Sequence, residues 1–232
     1  MPRANRSFLP GLIWHITHRC HQKAFLLGLG KDRENWVAWL GEARRRFRLC
    51  VLNYVVTRNH VHLVVRDRGR GEIAQSMQLI AGRTAQQYNE RKGRCGAFWE
   101  DRYHATAVES HEHLARCMTY VDLNMVRAGV VSHPSDWRTG GYREIQDPPK
   151  RYRRIDLDAL LETLGFSELE ALQRAHREWV REAIRAGSLQ DDKWSKSIAV
   201  GSVEFVQRVK AGLGPLARRR RVEPFGSRFH LA

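Results

Sequence analysis

The sequence predicts an α+β fold in which helices pack on an antiparallel sheet. Three observations lead to this class: an alternating strand pattern at residues 12–19, two apolar runs joined by a short connector within residues 49–66, and helical periodicity before and after these runs. A further extended segment at residues 98–108 completes a βαββαβ unit of the ferredoxin-like kind. We expect this core to be followed by a helix that packs on it and by a helical C-terminal extension.

The first strand carries histidines that are not expected to form a metal site. Alternation places Trp14 and Ile16 on one face of this strand and His15 on the other. His18 falls on the face opposite to that of His15, so these two side chains and the nearby His21 cannot converge on one ion. We interpret the three histidines as structural.

Two amphipathic helices flank the predicted hairpin. Apolar residues recur at helical spacing over residues 32–48 and 72–91, and Gly93 is placed to end the second helix. Residues 57–59 join the two strands, and Asn59 suits a left-handed turn position. Because both strands are almost continuously apolar, we expect them to be central in the sheet.

The second strand of the hairpin carries a candidate metal site. His60 and His62 are two residues apart and project from one face of the strand, while Val61, Leu63 and Val65 fill a core on the other face. Two imidazoles on one face can share an ion. Taken alone, however, a short His-x-His pattern is more often structural than metal-binding.

A helix predicted between Ser110 and Gly129 carries the other half of the candidate site. Its polar face presents four side chains at helical spacing, Arg116, Tyr120, Asn124 and Arg127. A tyrosine hydroxyl can attack a phosphodiester and form a phosphotyrosine, although a half-buried structural tyrosine is the plainer interpretation. His111 and His113 repeat the His-x-His spacing, but on a helix they diverge and are not expected to bind metal.

The charge of the chain indicates a nucleic-acid partner. Forty Lys and Arg residues against 25 Asp and Glu residues give a formal net charge of +15, and a phosphate backbone is the usual partner of such a surface. The four cysteines are far apart and include no Cys-x-x-Cys pair, which fits a reducing cytoplasm. No signal sequence or membrane-spanning apolar run is present, so we expect a cytoplasmic protein without membrane contact.

Four segments together form a more specific pattern: WHIT at residues 14–17, NHVHLVV at residues 59–65, FWEDRY at residues 98–103 and YVDLNMVRAGVV at residues 120–131. In combination they resemble the REP-associated tyrosine transposases, which are IS200-like members of the single-tyrosine HUH endonuclease superfamily. The likeness spans roughly residues 10–145. The chain departs from the family in having TRN before His60 instead of MPN, and NMVR from Asn124 instead of NPVR.

The resemblance implies a chemistry for the candidate site. His60, His62 and Asn124 would hold a divalent ion, Mg²⁺ or Mn²⁺, and Tyr120 would be the catalytic nucleophile. The implied reaction is metal-dependent cleavage and transfer of single-stranded DNA beside a palindromic hairpin, through a 5′-phosphotyrosine and without ATP. Such a protein would lie in the prokaryotic cytoplasm, associated with the nucleoid. A catalytically silent hairpin-binding regulator and a hydrolytic nuclease that activates water remain open as alternatives.

A composition change near residue 150 divides the chain into two expected parts. Residues 1–149 would form the transposase domain, and residues 150–232 a basic, mostly helical extension that contacts DNA. In the extension, Ser167 begins a capping box that opens a helix to Ala186, and a further helix is expected at residues 203–210. The arginines expected to contact DNA are Arg19, Arg102, Arg116, Arg127, Arg153, Arg154, Arg218, Arg219, Arg220 and Arg221. The sequence does not decide between a monomer and a homodimer, nor does it identify the hairpin.

Overall fold

The computed structural model describes residues 9–187, 193–225 and 228–231, and it has the predicted α+β class. Its strands are β1 (Ile13–Arg19), β2 (Cys50–Val56), β3 (His60–Arg66), β4 (His104–Val108), β5 (Ala199–Gly201), β6 (Val222–Phe225) and β7 (Arg228–Leu231). Within the described residues they form one sheet in the order β2-β3-β1-β4-β5-β7-β6, in which β4 and β5 are parallel and the other neighbours are antiparallel. The first four strands have the order of the predicted ferredoxin-like unit.

Helices cover both faces of the sheet. They are α1 (Gly30–Phe47), α2 (Glu72–Lys92), α3 (Glu112–Asp122), α4 (Asn124–Arg127), α5 (Gly141–Gln146), α6 (Leu157–Leu164), α7 (Leu169–Ala186), α8 (Lys193–Lys196) and α9 (Val203–Leu213). Asp122 of α3 accepts a hydrogen bond from Asn53 of β2, whereas Trp99, which stacks on His18 of β1, donates to the carbonyl of Ala81 in α2. These contacts place α3 and α2 on opposite faces. In the described ranges no helix combines the length and the apolar character needed to cross a membrane.

The pairing of β1 with β3 builds the polar face that later carries the site. Thr17 lies opposite His62, and Arg19 lies opposite His60. Residues directly opposite each other in an antiparallel pair share a face. The polar side of β1 and the two histidines of β3 therefore form one continuous surface.

The strand β2 lies at the edge of the sheet, although its continuous hydrophobicity predicted a central position. All of its residues are nevertheless buried. The outer edge is covered by the later chain, because Val56 donates from its backbone to the carbonyl of Thr139 (2.9 Å) and Asp156 donates to that of Val51 (2.8 Å). A covered edge requires the same apolar composition as a central strand.

The predicted extended segment at residues 98–108 is regular only in its second half. The strand β4 begins at His104, and the preceding residues are irregular apart from a bridge between Cys20 and Trp99. Phe98 is buried, and Trp99 is held by its stacking on His18. Burial of these aromatic rings, rather than pairing of a strand, explains why the segment reads as apolar and extended.

The single helix predicted between Ser110 and Gly129 is two helices. Leu123, with φ −78° and ψ 4°, separates α3 from α4. The buried Leu123 packs against Tyr142 and Val180, and this contact holds the break in place without a proline. Ser110 does not cap α3, because His111 occupies the N-cap position and makes no capping hydrogen bond.

The C-terminal part extends the same sheet, which the sequence analysis did not predict. Its strand β5 pairs with β4, and β7 and β6 follow. The predicted helices are present as α7 and α9, and Ser202 caps α9. The predicted capping box at Ser167 is wrong, since Glu168 is the N-cap residue of α7 and makes no side-chain capping bond. A domain boundary near residue 150 stays a prediction.

The start of α5 gives a test of the packing over β2. A Cβ atom at Gly141 would overlap Oδ1 of the buried Asn53 and lie 3.0 Å from Cδ1 of Ile155. We expect Gly141→Ala to lower the free energy of unfolding by ~1–3 kcal/mol, because a buried side chain must move. Gly82→Ala, at a helical position in α2 where nothing lies within 4 Å, is the control and should raise it by ~0.5–1 kcal/mol. Urea denaturation measures both. A Gly141→Ala protein as stable as wild type would contradict the described packing.

Candidate active site

His60 and His62 project from one face of β3, as the alternation predicted. Their ring centroids are 4.9 Å apart and the ring planes meet at 81°. The side chains of Val61 and Leu63 point the other way and are fully buried. His62 is 2% exposed and His60 is half-buried. The apolar face of β3 thus fixes the direction in which both imidazoles point.

Asn124 and Tyr120 meet the two histidines from the helical side. Asn124, the first residue of α4, donates from Nδ2 to Nε2 of His62 over 2.8 Å, and its side chain lies near enough to His60 to oppose the lowering of the pKa of that imidazole. The ring of Tyr120 lies perpendicular to that of His62, with centroids 5.7 Å apart. The structure therefore brings together the four side chains to which the sequence analysis gave catalytic or metal-binding roles.

The hairpin turn determines which nitrogen of His60 carries the proton. Oδ1 of Asn59 lies 2.7 Å and Oγ1 of Thr57 lies 3.0 Å from Nδ1 of His60. The hydroxyl of Thr57 donates to the backbone carbonyl of His60, so both oxygens accept from Nδ1–H. Nε2 of His60 therefore keeps its lone pair. Asn59 does not adopt the predicted left-handed conformation, and its side chain supports His60 instead.

The imidazoles of the site are neutral at pH 7. Burial lowers the pKa of His60 to about 4, and the positive charges of Arg19 and Arg127 act in the same direction. Burial also lowers the pKa of His15 to about 4 and that of His62 well below its ordinary value. A histidine must be unprotonated to ligate a metal, so these pKa shifts keep the ligand form available.

The donor set fits a divalent ion. Two neutral imidazoles can ligate through Nε2, and Asn124 can ligate through its carboxamide oxygen. Within the described residues no group of three or more His, Cys, Asp or Glu side chains is arranged to hold a metal. The set of two histidines and one carboxamide contains only two side chains of these types, so it is compatible with that finding.

Two neighbours position Tyr120. Its hydroxyl lies 3.0 Å from Oγ of Ser195 in α8. The guanidinium of Arg127 stacks 4.1 Å from the centroid of the Tyr120 ring and donates to the backbone carbonyl of the same residue over 2.8 Å. Arg127 thereby holds a positive charge beside the phenol.

The end of α3 is fixed by a buried carboxylate. Asp122 accepts hydrogen bonds from Asn53 of β2 (3.0 Å) and from Nε2 of His176 in α7 (2.7 Å). Nδ1 of His176 is in turn 3.0 Å from Nε2 of Gln146. Asp122 lies two residues after Tyr120, so this network sets the position of the phenol relative to the sheet.

The arginines predicted to contact DNA occupy different positions. Arg19 and Arg127 act electrostatically on both histidines of the site. Arg116 is exposed and forms an ion pair with Glu112. The remaining predicted contacts are exposed except for the half-buried Arg154, and they are Arg102, Arg153, Arg154, Arg218, Arg219, Arg220 and Arg221. DNA contact by any of them stays a prediction.

His15 is a residue of the site that the sequence analysis missed. The prediction that His15, His18 and His21 do not form a cluster is correct, since His18 stacks on Trp99 on the other face of the sheet. However, Nε2 of His15 lies 2.8 Å from Nδ1 of His62. The alternation of β1 places His15 on the polar face of the strand. Only the pairing of β1 with β3 brings His15 next to His62, and the sequence does not show that pairing. Residues of α8 were missed for the same reason.

The lowered histidine pKa values predict how stability depends on pH. His60 has a pKa of about 4 in the folded protein and about 6.5 in the unfolded chain. As pH falls below 6.5 the unfolded chain binds more protons, so the folded state loses stability until pH reaches about 4. His60 alone should lower the free energy of unfolding by about 2 kcal/mol at pH 5. The measurement is urea denaturation in EDTA at pH 7.5 and at pH 5. Between these pH values the free energy of unfolding should fall by about 2 kcal/mol less in His60→Gln than in wild type. Equal losses in both proteins would refute the shift.

Comparisons with known proteins show which family and which solved structures the chain resembles. The family model for IS200-like transposases matches residues 10–124, a segment that contains all four site residues named above. A structure of a REP-associated tyrosine transposase bound to a REP hairpin is similar, with a TM-score of 0.52 and 18% identity over 66% of this chain and 90% of that chain. A proposed transposase from Deinococcus radiodurans R1 has a TM-score of 0.37 and 14% identity over 55% of this chain and 92% of that one. A search of curated protein sequences found no match.

The structural likeness to the REP-associated tyrosine transposase is a likeness of fold, and it agrees with the ferredoxin-like order of β1 to β4. The family match covers the strands and the helix that carry the site. Residues 10–124 of the chain match the IS200-like transposase family.

Proposed function

We propose that this chain is a metal-dependent single-strand DNA endonuclease and strand transferase that acts beside hairpin-forming palindromic sequences. The observation that carries the proposal is the position of Asn124, whose amide is hydrogen-bonded to His62 and influences the pKa of His60, beside the phenol of Tyr120. The match of residues 10–124 to the IS200-like transposase family supports DNA as the substrate. The REP hairpin held by the structurally similar transposase supports a hairpin as the recognised element.

Tyr120 is the nucleophile in this proposal. Its phenol oxygen forms a bond to the phosphorus of the scissile phosphodiester, and the bond from phosphorus to the 3′ oxygen breaks. The proton lost by the phenol is balanced by the proton gained by the free 3′-hydroxyl. The 5′-phosphotyrosine keeps the phosphodiester bond energy, so attack by a second 3′-hydroxyl rejoins the strand without ATP.

The proposed metal ligands are Nε2 of His60, Nε2 of His62 and the carboxamide oxygen of Asn124, and Mg²⁺ and Mn²⁺ both suit a site that also takes phosphate oxygens. When bound, the ion supplies Lewis-acid polarisation of the scissile phosphate. Arg127 and Arg19 add fixed positive charge beside the ligands and favour entry of the DNA backbone.

A covalent adduct is the sharpest test of this function. Purified protein is incubated with Mn²⁺ or Mg²⁺ and a single strand that contains a hairpin, and denaturing gel electrophoresis then separates free protein from a protein–DNA adduct. We expect wild type to cleave and form the adduct, and Tyr120→Phe to lose both by more than ~10³-fold, because the nucleophilic oxygen is gone. Tyr88→Phe, which changes a half-buried helical tyrosine of α2, is the matched control and should behave as wild type.

The same experiment separates the competing functions. Cleavage that persists in Tyr120→Phe would indicate a hydrolytic nuclease in which the ion activates water. Hairpin binding by wild type without cleavage or adduct would indicate a regulator. Either result would refute the proposed transesterase.

The exposed arginine run of the C-terminal part, Arg218, Arg219, Arg220 and Arg221, is proposed to bind the DNA backbone. Each phosphate contact to a single strand contributes about 0.7 to the slope of log affinity against log salt concentration, and slightly more for a duplex. Replacing all four residues by Gln should therefore reduce the slope by up to about 3 and weaken binding most at low salt. Fluorescence anisotropy with a labelled hairpin over a salt series measures this. An unchanged slope would exclude the run from the DNA interface.

A further inference from the structure

We infer that His15 is a positioning residue of the metal site, which selects the tautomer of His62 and is itself oriented by the backbone of α8. The inference deepens the proposed function and rests on it, because His62 is a metal ligand only if that function holds. It adds to the site a third histidine and a segment from the C-terminal part of the chain. Its evidence is a run of hydrogen bonds through buried groups.

The run begins at the backbone carbonyl of Trp194. Nδ1 of His15 lies 2.7 Å from this oxygen. A carbonyl oxygen accepts and never donates, so Nδ1 of the neutral His15 carries the proton. Nε2 of His15 must then hold a lone pair. His15 is 0% exposed, and water therefore does not compete for either nitrogen.

The direction of the next bond follows from the first. Nε2 of His15 lies 2.8 Å from Nδ1 of His62. The two ring planes differ by 11° and their centroids are 5.0 Å apart, a separation that matches imidazoles joined edge to edge through one N–H···N bond. Because Nε2 of His15 accepts, Nδ1 of His62 donates. The lone pair of His62 is left on Nε2, the atom that faces Asn124.

The alternative tautomer of His62 would disable the site. With its proton on Nε2, His62 would direct N–H towards Asn124 and could not ligate a metal through that atom. Nδ1 of His62 and Nε2 of His15 would then oppose two lone pairs across 2.8 Å in a buried position. The hydroxyl of Thr17 is 3.5 Å from Nδ1 of His62, at the limit of a hydrogen bond, whereas Nε2 of His15 would lose its donor. A buried acceptor without a donor is disfavoured, so His15 favours the ligating tautomer before any ion arrives.

The partner of His15 is itself firmly held. Trp194 is 1% exposed and belongs to the main core. Three residues later, the carbonyl of Ser197 accepts a hydrogen bond from Oγ1 of Thr106 in β4 over 2.6 Å. Ser195, between them, is the residue that contacts the hydroxyl of Tyr120. The segment thus presents the carbonyl of Trp194 to His15 and the hydroxyl of Ser195 to Tyr120.

The tautomer can be measured directly in the metal-free wild-type protein. Long-range ¹H–¹⁵N NMR spectra of protein labelled with ¹⁵N-histidine report which ring nitrogen of each neutral imidazole is protonated. We expect His62, assigned by the loss of its signals in His62→Ala, to be protonated at Nδ1 at pH 7.5. A His62 protonated at Nε2 would overturn the inference.

Metal affinity tests the consequence. Isothermal titration calorimetry with Mn²⁺ is applied to wild type and to His15→Phe, which keeps an aromatic ring but removes the acceptor. We expect an affinity loss of about 10- to 100-fold. His15→Gln restores an acceptor oxygen near the position of Nε2 and should recover most of the affinity. His18→Phe, the same change on the other face of β1, is the matched control and should leave Mn²⁺ binding unchanged.

The outcomes separate this inference from the proposed function. Wild type that binds no Mn²⁺ would refute the proposed function, while the NMR spectra of the metal-free protein still decide the role of His15. Mn²⁺ binding that disappears in His62→Ala but is as tight in folded His15→Phe as in wild type would refute the role of His15 alone. If His15→Phe does not fold, the wild-type NMR spectra and His15→Gln carry the test.

Discussion

The antiparallel register between β1 and β3 is the constraint on which the candidate site depends. It sets Thr17 opposite His62 and His15 opposite Val64, so that the polar faces of both strands coincide. A shift of one residue would turn every side chain of β3 to the other face and bring Val61 and Leu63 out of the core. The apolar packing on one side of the sheet therefore fixes the positions of the imidazoles on the other side.

A second anchor positions Tyr120, the proposed nucleophile, and it is independent of the first. The buried carboxylate of Asp122 is satisfied by one donor from the sheet and one from α7, Asn53 and His176. A shift of α3 along the sheet would leave a buried charge without partners, which costs more than most packing changes. The break between the two helices lies at Leu123, the residue after Asp122. The next residue, Asn124, is hydrogen-bonded to His62.

Local periodicity was sufficient for the long helices, for the hairpin and for the shared face of His60 and His62. Helical spacing placed Tyr120 and Asn124 near each other, and the family resemblance gave them roles. The break at Leu123 was not predictable, because packing against later parts of the chain holds it and no proline or glycine marks it. The strands β5 to β7 have three or four residues each, too few for alternation to be recognised.

The contacts between α8 and the site link positions that are distant in sequence. His15 and Trp194 are 179 residues apart, and Tyr120 and Ser195 are 75 apart. Removal of the C-terminal part would take away the carbonyl that orients His15, the hydroxyl beside Tyr120 and the strand that pairs with β4. Loss of cleavage in such a truncation would therefore not identify a DNA contact. Substitutions confined to exposed arginines leave α8 and β5 in place. They therefore distinguish a loss of DNA binding from a loss of the groups that hold the site together.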